Sequence, residues 1–231
     1  MFARSFARWV GPVLLLGVAA RATADAQGPS GAAIARQGVV AQGTPACESC
    51  HGAPGAPPID SRTPRIAGLD ADYLQRQLQL FANGKRRNPA MMQVARSLSP
   101  ENRDAVAAYF AGLPAGPSRL STANSPIDIG PGKLLAERGR WAVNVPPCAS
   151  CHAADGLGVG ATSPALAGQS AAYIEAQLIG WSEGDRGGDP LGLMTVIAKR
   201  LSAKDRKSVA AYYASLGSGP TPGSTSTKAP R

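Results

Sequence analysis

The chain has 231 residues, 44% of them hydrophobic and 17% charged, with 27 Gly, 20 Pro and only 5% aromatics. This is ordinary for a globular protein of one large or two small domains, but poor in the bulky side chains that fill a core; a large prosthetic group could supply the missing apolar bulk. The formal charge of +9 comes without the motif or aromatic interleaving of a nucleic-acid binder, so Lys85-Arg86-Arg87 and the basic stretch 199–207 read as solvated faces, with a docking patch for an acidic protein partner as the alternative.

The N-terminus carries Arg4 and Arg8, then the apolar run WVGPVLLLGVAA (9–20), then Ala22-Thr23-Ala24. This is the pattern of a secretory signal peptide, expected over 1–24. The apolar run is about half of the roughly 20 residues that span a bilayer, which argues against an uncleaved anchor. Cleavage would lower the formal charge from +9 to +6, because three arginines leave and no acid does.

Beyond the leader, an opening helix is expected over about 30–42. CESCH follows at 47–51, and a second helix starts at the N-cap Asp70 with Tyr73, Leu74, Leu78 and Phe81 at helical spacing. A closing helix starts at Ser99, with Pro100 in its first turn and Val106, Tyr109, Phe110 and Leu113 as its apolar stripe. The same order then returns. A helix is expected at about 131–144, then CASCH at 148–152, a helix capped by Ser170, and a closing helix capped by Ser202 with Val209, Tyr212, Tyr213 and Leu216. IAGLDADYLQRQL (66–78) falls beside LAGQSAAYIEAQL (166–178), and MMQVARSLSPENRDAVAAYFAGL (91–113) beside MTVIAKRLSAKDRKSVAAYYASL (194–216). The chain is therefore one helical unit of roughly 90 residues used twice. The expected domains are 25–115 and 133–217, joined by a Gly-, Pro- and Ser-rich linker at 116–132 and followed by a disordered tail at 218–231.

All four cysteines and both histidines lie in the two pentapeptides. A pair of CxxC disulfides or zinc would leave the histidines unexplained or the coordination short of ligands. Covalent c-type haem uses all three residues of each CxxCH: two cysteines bind the two vinyl groups and the adjacent histidine ligates iron. Two covalently bound haem c groups are thus expected, on Cys47, Cys50 and His51 and on Cys148, Cys151 and His152. No histidine is left for the opposite side of either iron. Met91 and Met194 stand at equivalent distances before Leu98-Ser99 and Leu201-Ser202, so the repeat selects them as distal ligands. Met92, a lysine or an open position are the alternatives. Six ligands leave no vacancy for oxygen or peroxide, which favours electron transfer over a dihaem peroxidase.

The two CxxCH motifs, the (I/L)AG-x4-Y-x4-L segments and the Met-x6-Leu-Ser motifs together resemble the cytochrome c4 family, soluble dihaem proteins made of two class I cytochrome c domains. The resemblance covers essentially the whole mature chain. It implies an all-α fold of two tandem cytochrome c-like domains and a periplasmic electron carrier rather than an enzyme. A quinol-oxidising complex or dehydrogenase is the implied donor and a haem–copper oxidase the implied acceptor, with at most peripheral membrane association and no nucleic acid. The alternative is the cytochrome subunit of a periplasmic dehydrogenase. The resemblance further implies that Gly38 and Gly139 permit a close crossing of opening and closing helices, opposite Tyr109 and Tyr212, and that the carbonyls of Pro64 and Pro164 receive the N–H of the haem-ligating histidines.

Overall fold

The computed structural model describes residues 28–56, 61–115 and 128–217. The expected signal peptide, most of the linker and the C-terminal tail lie outside the described residues. Among the described residues ten α-helices are found, in two equivalent sets of five. In the first unit these are α1 (Gly31–Gln37), α2 (Glu48–His51), α3 (Ala71–Ala82), α4 (Pro89–Ser97) and α5 (Pro100–Ala111). In the second they are α6 (Gly130–Arg138), α7 (Ala149–His152), α8 (Ala171–Glu183), α9 (Leu193–Arg200) and α10 (Ala203–Ser215). Among the described residues β-structure is confined to isolated bridges.

Local chemistry sets the helix starts. The side chains of Asp70, Ser99 and Ser202 accept from the backbone N–H three residues on, as their N-cap positions predict. Ser202 and Asp205 complete a reciprocal capping box. The opening helices end earlier than expected. Gly38 and Gly139 terminate α1 and α6 with φ of +73° and +72°, a conformation glycine adopts without penalty, and only a short 3-10 turn follows each. The last residues of the expected linker, Gly130 to Gly132, belong to α6.

Each unit has its own core. Ile34, Leu74, Leu98, Val106 and Phe110 are buried together in the first, and their repeat equivalents Leu135, Ile174, Leu201, Val209 and Tyr213 in the second. In both, the opening helix packs on the closing helix, which also packs on α3 or α8. The crossing is made at Gly31 and Gly132, not at Gly38 and Gly139. A Cβ on Gly31 would lie 2.0 Å from the Ala105 carbonyl oxygen, and one on Gly132 would lie 2.1 Å from that of Ser208. Gly38 and Gly139 abut the turn that follows them, at the Thr44 and Val145 carbonyls.

The units meet across a near-twofold interface. Arg86 and Arg186 form an antiparallel bridge, closed by Arg87 N–H to the Asp185 carbonyl at 2.7 Å and Gly187 N–H to the Lys85 carbonyl at 2.8 Å. Other contacts break the symmetry: the Arg65 N–H donates to Gln169 Oε1 at 3.0 Å and Gln169 Nε2 donates back to the Arg65 carbonyl at 2.6 Å, while Arg65 Nη2 donates to the Ala167 carbonyl at 3.1 Å and Arg76 Nη2 to the Gly188 carbonyl at 2.6 Å.

Because the helix crossing leaves no space for a side chain, Gly132→Val is expected to lower stability by about 1–3 kcal/mol. Denaturant unfolding of the purified protein checks this, with Gly217→Val, at a glycine that has open space around it and no positive φ, separating the crowding effect from that of a valine placed elsewhere.

Candidate haem-binding site

In each unit the CxxCH segment folds into a single helical turn, α2 or α7, placed directly after the short 3-10 turn. The first cysteine of each pair, Cys47 or Cys148, is half-buried, and its thiol is pushed up to about 11 by burial. The second, Cys50 or Cys151, is exposed, and no disulfide joins any of the four. This puts one sulfur at the core and the other at the rim of each site.

His51 and His152 are each only 7% exposed. Their Nδ1–H groups donate to the carbonyls of Pro64 at 2.9 Å and Pro164 at 2.8 Å. Burial holds both imidazoles below their ordinary pKa despite that bond. The ring is therefore neutral, with its proton on Nδ1 and a free lone pair on Nε2, which is the form that ligates a metal. Immediately after His152 the chain turns through Ala153 at φ +64°, ψ 157°, where the first unit has Gly52 at φ +69°.

The second unit encloses a cavity lined by Cys148, Cys151, His152 and Met194, with Leu166, Ile174, Leu178, Trp181 and Tyr213 as walls. Tyr73, Leu80 and Leu69 of the first unit close part of it. The fold thus gathers all four predicted site residues of this unit. In the first unit, Cys47, Cys50 and His51 share the α2 turn, and Met91 stands half-buried in the first turn of α4, whose N-cap Asn88 accepts from the Met91 N–H at 3.0 Å. Met92 carries its methyl close to Gly84.

Two arginines that read as solvent-facing or went unremarked are central. Arg86 and Arg186 are 6% and 7% exposed, which corrects the reading of Lys85-Arg86-Arg87 as a solvated face. Arg86 donates to Tyr173 Oη at 2.9 Å and to Gln177 Oε1 at 2.6 Å across the interface, and to Gln77 Oε1 at 2.8 Å on its own side. Arg186 mirrors this with Tyr73 Oη at 3.1 Å and Gln177 Oε1 at 2.8 Å. Neither has a carboxylate partner among the described residues. Burial, reinforced by the Arg86 charge, weighs against the charge on Arg186. Their equivalence in the repeat was the signal that could have marked them.

The donor set fits haem c. Paired thiols and a neutral imidazole share one turn. The Trp181 indole N–H is buried in the cavity wall without an acceptor, and two guanidinium groups lack counter-anions nearby. A porphyrin with two carboxylate arms supplies both an apolar disc and the missing acceptors. Among the described residues, no group of three or more His, Cys, Asp and Glu is placed to hold a metal ion unaided.

Two helical units, each built on a CxxCH turn whose histidine is buried and held by a proline carbonyl, define a two-domain c-type cytochrome. Residues 31–110 match the family described as cytochrome c oxidase, cbb3-type, subunit III, and residues 136–217 match cytochrome c. The chain is 43% identical over 204 residues to a thiosulfate dehydrogenase electron acceptor of Stutzerimonas stutzeri, covering 88% of this chain and 94% of that one. It is 32% identical over 206 residues to cytochrome c4 of Pseudomonas aeruginosa, covering 88% and 96%. A thiosulfate dehydrogenase structure from Marichromatium purpuratum superposes with a TM-score of 0.76 at 39% identity, over 81% of this chain and 40% of that chain. The chain belongs to the cytochrome c4 family of dihaem cytochromes c. It is an electron carrier rather than a catalytic enzyme, and it holds two covalent haem c groups, one at each CxxCH motif.

The backbone at Ala153 lies in a region almost reserved for glycine. Ala153→Gly is therefore expected to stabilise the protein by about 1 kcal/mol, read as a rise in the denaturation midpoint with unchanged haem absorbance.

Proposed function

We propose that this protein is the electron acceptor of a periplasmic dehydrogenase that oxidises a reduced sulfur compound such as thiosulfate, and that it passes the electrons on toward a haem–copper oxidase. The observation that carries this reading is the likeness, over 88% and 76% of this chain, to proteins bearing that role, 43% and 42% identical in two organisms, against 32% for cytochrome c4 of Pseudomonas aeruginosa. The match of the first unit to an oxidase subunit family is in keeping with the outlet. Export follows from the leader pattern of residues 1–24, and no helix among the described residues is long and apolar enough to cross a membrane.

In this reading His51 and Met91 ligate one iron, and His152 and Met194 the other. Bound haem supplies an iron that exchanges one electron, at a potential raised by a thioether ligand. The chain supplies the rest. The prolyl carbonyls of Pro64 and Pro164 hold each imidazole in one tautomer and orientation, so the ligand need not rearrange between oxidation states. Ile174, Leu178 and Tyr213 line the second cavity and would keep water from a haem seated there. Arg86 and Arg186 would offer donors to the carboxylate arms of bound haem, and the Trp181 N–H would add a donor in the second unit only, since Phe81 stands at the equivalent place in the first.

Met194→Ala is expected to lower one of the two midpoint potentials and remove that haem's methionine–iron charge-transfer absorption, leaving the other haem as it was. Met91→Ala should do the same to the other haem, and Met92→Ala to neither; spectroelectrochemical titration checks all three. For the physiological role, the oxidised protein is mixed with thiosulfate and a catalytic thiosulfate dehydrogenase subunit. Both haems should become reduced within the turnover time of the enzyme. Failure there, with ready reduction by a quinol-oxidising complex, would return the protein to a general respiratory carrier.

A further inference from the structure

The two units share a fold but not a surface. Among the described residues, the only large apolar side chain exposed in the first unit is Val40; all the others lie in the second. Leu193 lines the haem cavity, where haem would cover it. Leu134, Trp141 (67% exposed), Val143, Val159, Leu191 (94% exposed) and Val196 do not line that cavity and face solvent. The repeat places Val40, Gln42 and Gln93 at the positions of Trp141, Val143 and Val196. Leu191 has no counterpart, since the connection from Arg186 to Met194 is three residues longer than that from Arg86 to Met91.

Contacts through α9 tie four of these side chains, Trp141, Val143, Leu191 and Val196, to one region beside the cavity. Leu193, Val196 and Arg200 fall along one face of α9 at spacings of three and four, and Arg200 Nη1 donates to the Asn144 carbonyl at 2.9 Å, one residue beyond Val143. Arg140, bound to the buried Asp205 by an ion pair, pins the turn that displays Trp141. Pro190 and Leu193 line the cavity and flank Leu191. Leu191 itself has φ +56°, so a leucine adopts a left-handed conformation in order to stand in water. Both features oppose stability in the chain alone. Lys199 and Lys204 are exposed beside this face and make no ion pair among the described residues.

Resting on the dehydrogenase reading above, we propose that the face formed by Trp141, Val143, Leu191 and Val196 is the docking surface for the catalytic subunit, so that electrons pass at the second unit. The partner face is apolar at its centre and carries carboxylates at its rim, opposite Lys199 and Lys204. An apolar centre suits a long-lived contact. The likeness to 40% of a longer thiosulfate dehydrogenase chain shows a relative of this protein within a dehydrogenase polypeptide.

The test uses the full holoprotein, the catalytic thiosulfate dehydrogenase subunit of Stutzerimonas stutzeri, and thiosulfate, with haem reduction followed by stopped flow. Combining Trp141→Gln, Leu191→Asn and Val196→Gln is expected to lower the second-order rate at least about tenfold. Reduction by dithionite and both midpoint potentials should be unchanged, and the rate for the unaltered protein should fall as salt rises. Val40→Gln, in the first unit, should stay within about twofold of the unaltered rate. Equal rates for the combined variant and the unaltered protein would overturn the docking assignment alone, as would a comparable loss from Val40→Gln. No reduction of the unaltered protein overturns the dehydrogenase reading and the docking assignment with it. A concentration-dependent dimer in sedimentation, abolished by the same substitutions, would give the face to a second copy and refute the proposal.

Discussion

Two guanidinium groups buried back to back, Arg86 and Arg186, are the constraint around which the two units are joined. Burying an ion costs several kcal/mol even after relaxation, and here two like charges are placed together. The polypeptide answers with neutral acceptors only: the Tyr73 and Tyr173 hydroxyls and the Gln77 and Gln177 side-chain carbonyls, shared across the boundary. Hydrogen bonds of that kind satisfy the donors without neutralising the charge. The interface therefore holds donors whose charge the protein itself leaves uncompensated among the described residues, and the carboxylate arms of a bound haem would be one source of the missing charge.

Much of this was legible in the sequence, and the reasons differ by feature. CESCH and CASCH were readable because the chemistry needs three residue types at fixed spacing, and the repeat made each site confirm its twin. The caps at Asp70, Ser99 and Ser202 were readable because capping is local. The early ends of α1 and α6 were not, because the residues after Gly38 and Gly139 have compatible side chains and only the positive φ of the glycine breaks the helix. The crossing glycines were misplaced for a related reason. Gly31 and Gly132 stand at equivalent repeat positions just as Gly38 and Gly139 do, and only the packed pair of helices tells which glycine is overlain by a neighbouring backbone.

Arg86 shows a limit of another sort. Set among Lys85 and Arg87, it has the local appearance of a wet basic run, and its burial depends on a second unit whose residues lie about a hundred positions away. Charge patterning speaks to the immediate neighbourhood; the Arg65–Gln169 clasp, which joins the units by two reciprocal bonds, leaves no local trace at all. Long-range polar contacts have no period, so they escape any reading based on one.

The near-twofold arrangement makes the boundary self-complementary: Arg86 meets Gln177 as Arg186 meets Gln77. A surface of that kind must be correct only once to fit its own copy. When both copies sit in one chain, every change acts on one side alone, and the halves become free to diverge while the join persists. The Arg65–Gln169 clasp is where that freedom has been spent on the inside of the molecule, locking two descendants of one module into a fixed order that neither could reach by pairing with itself.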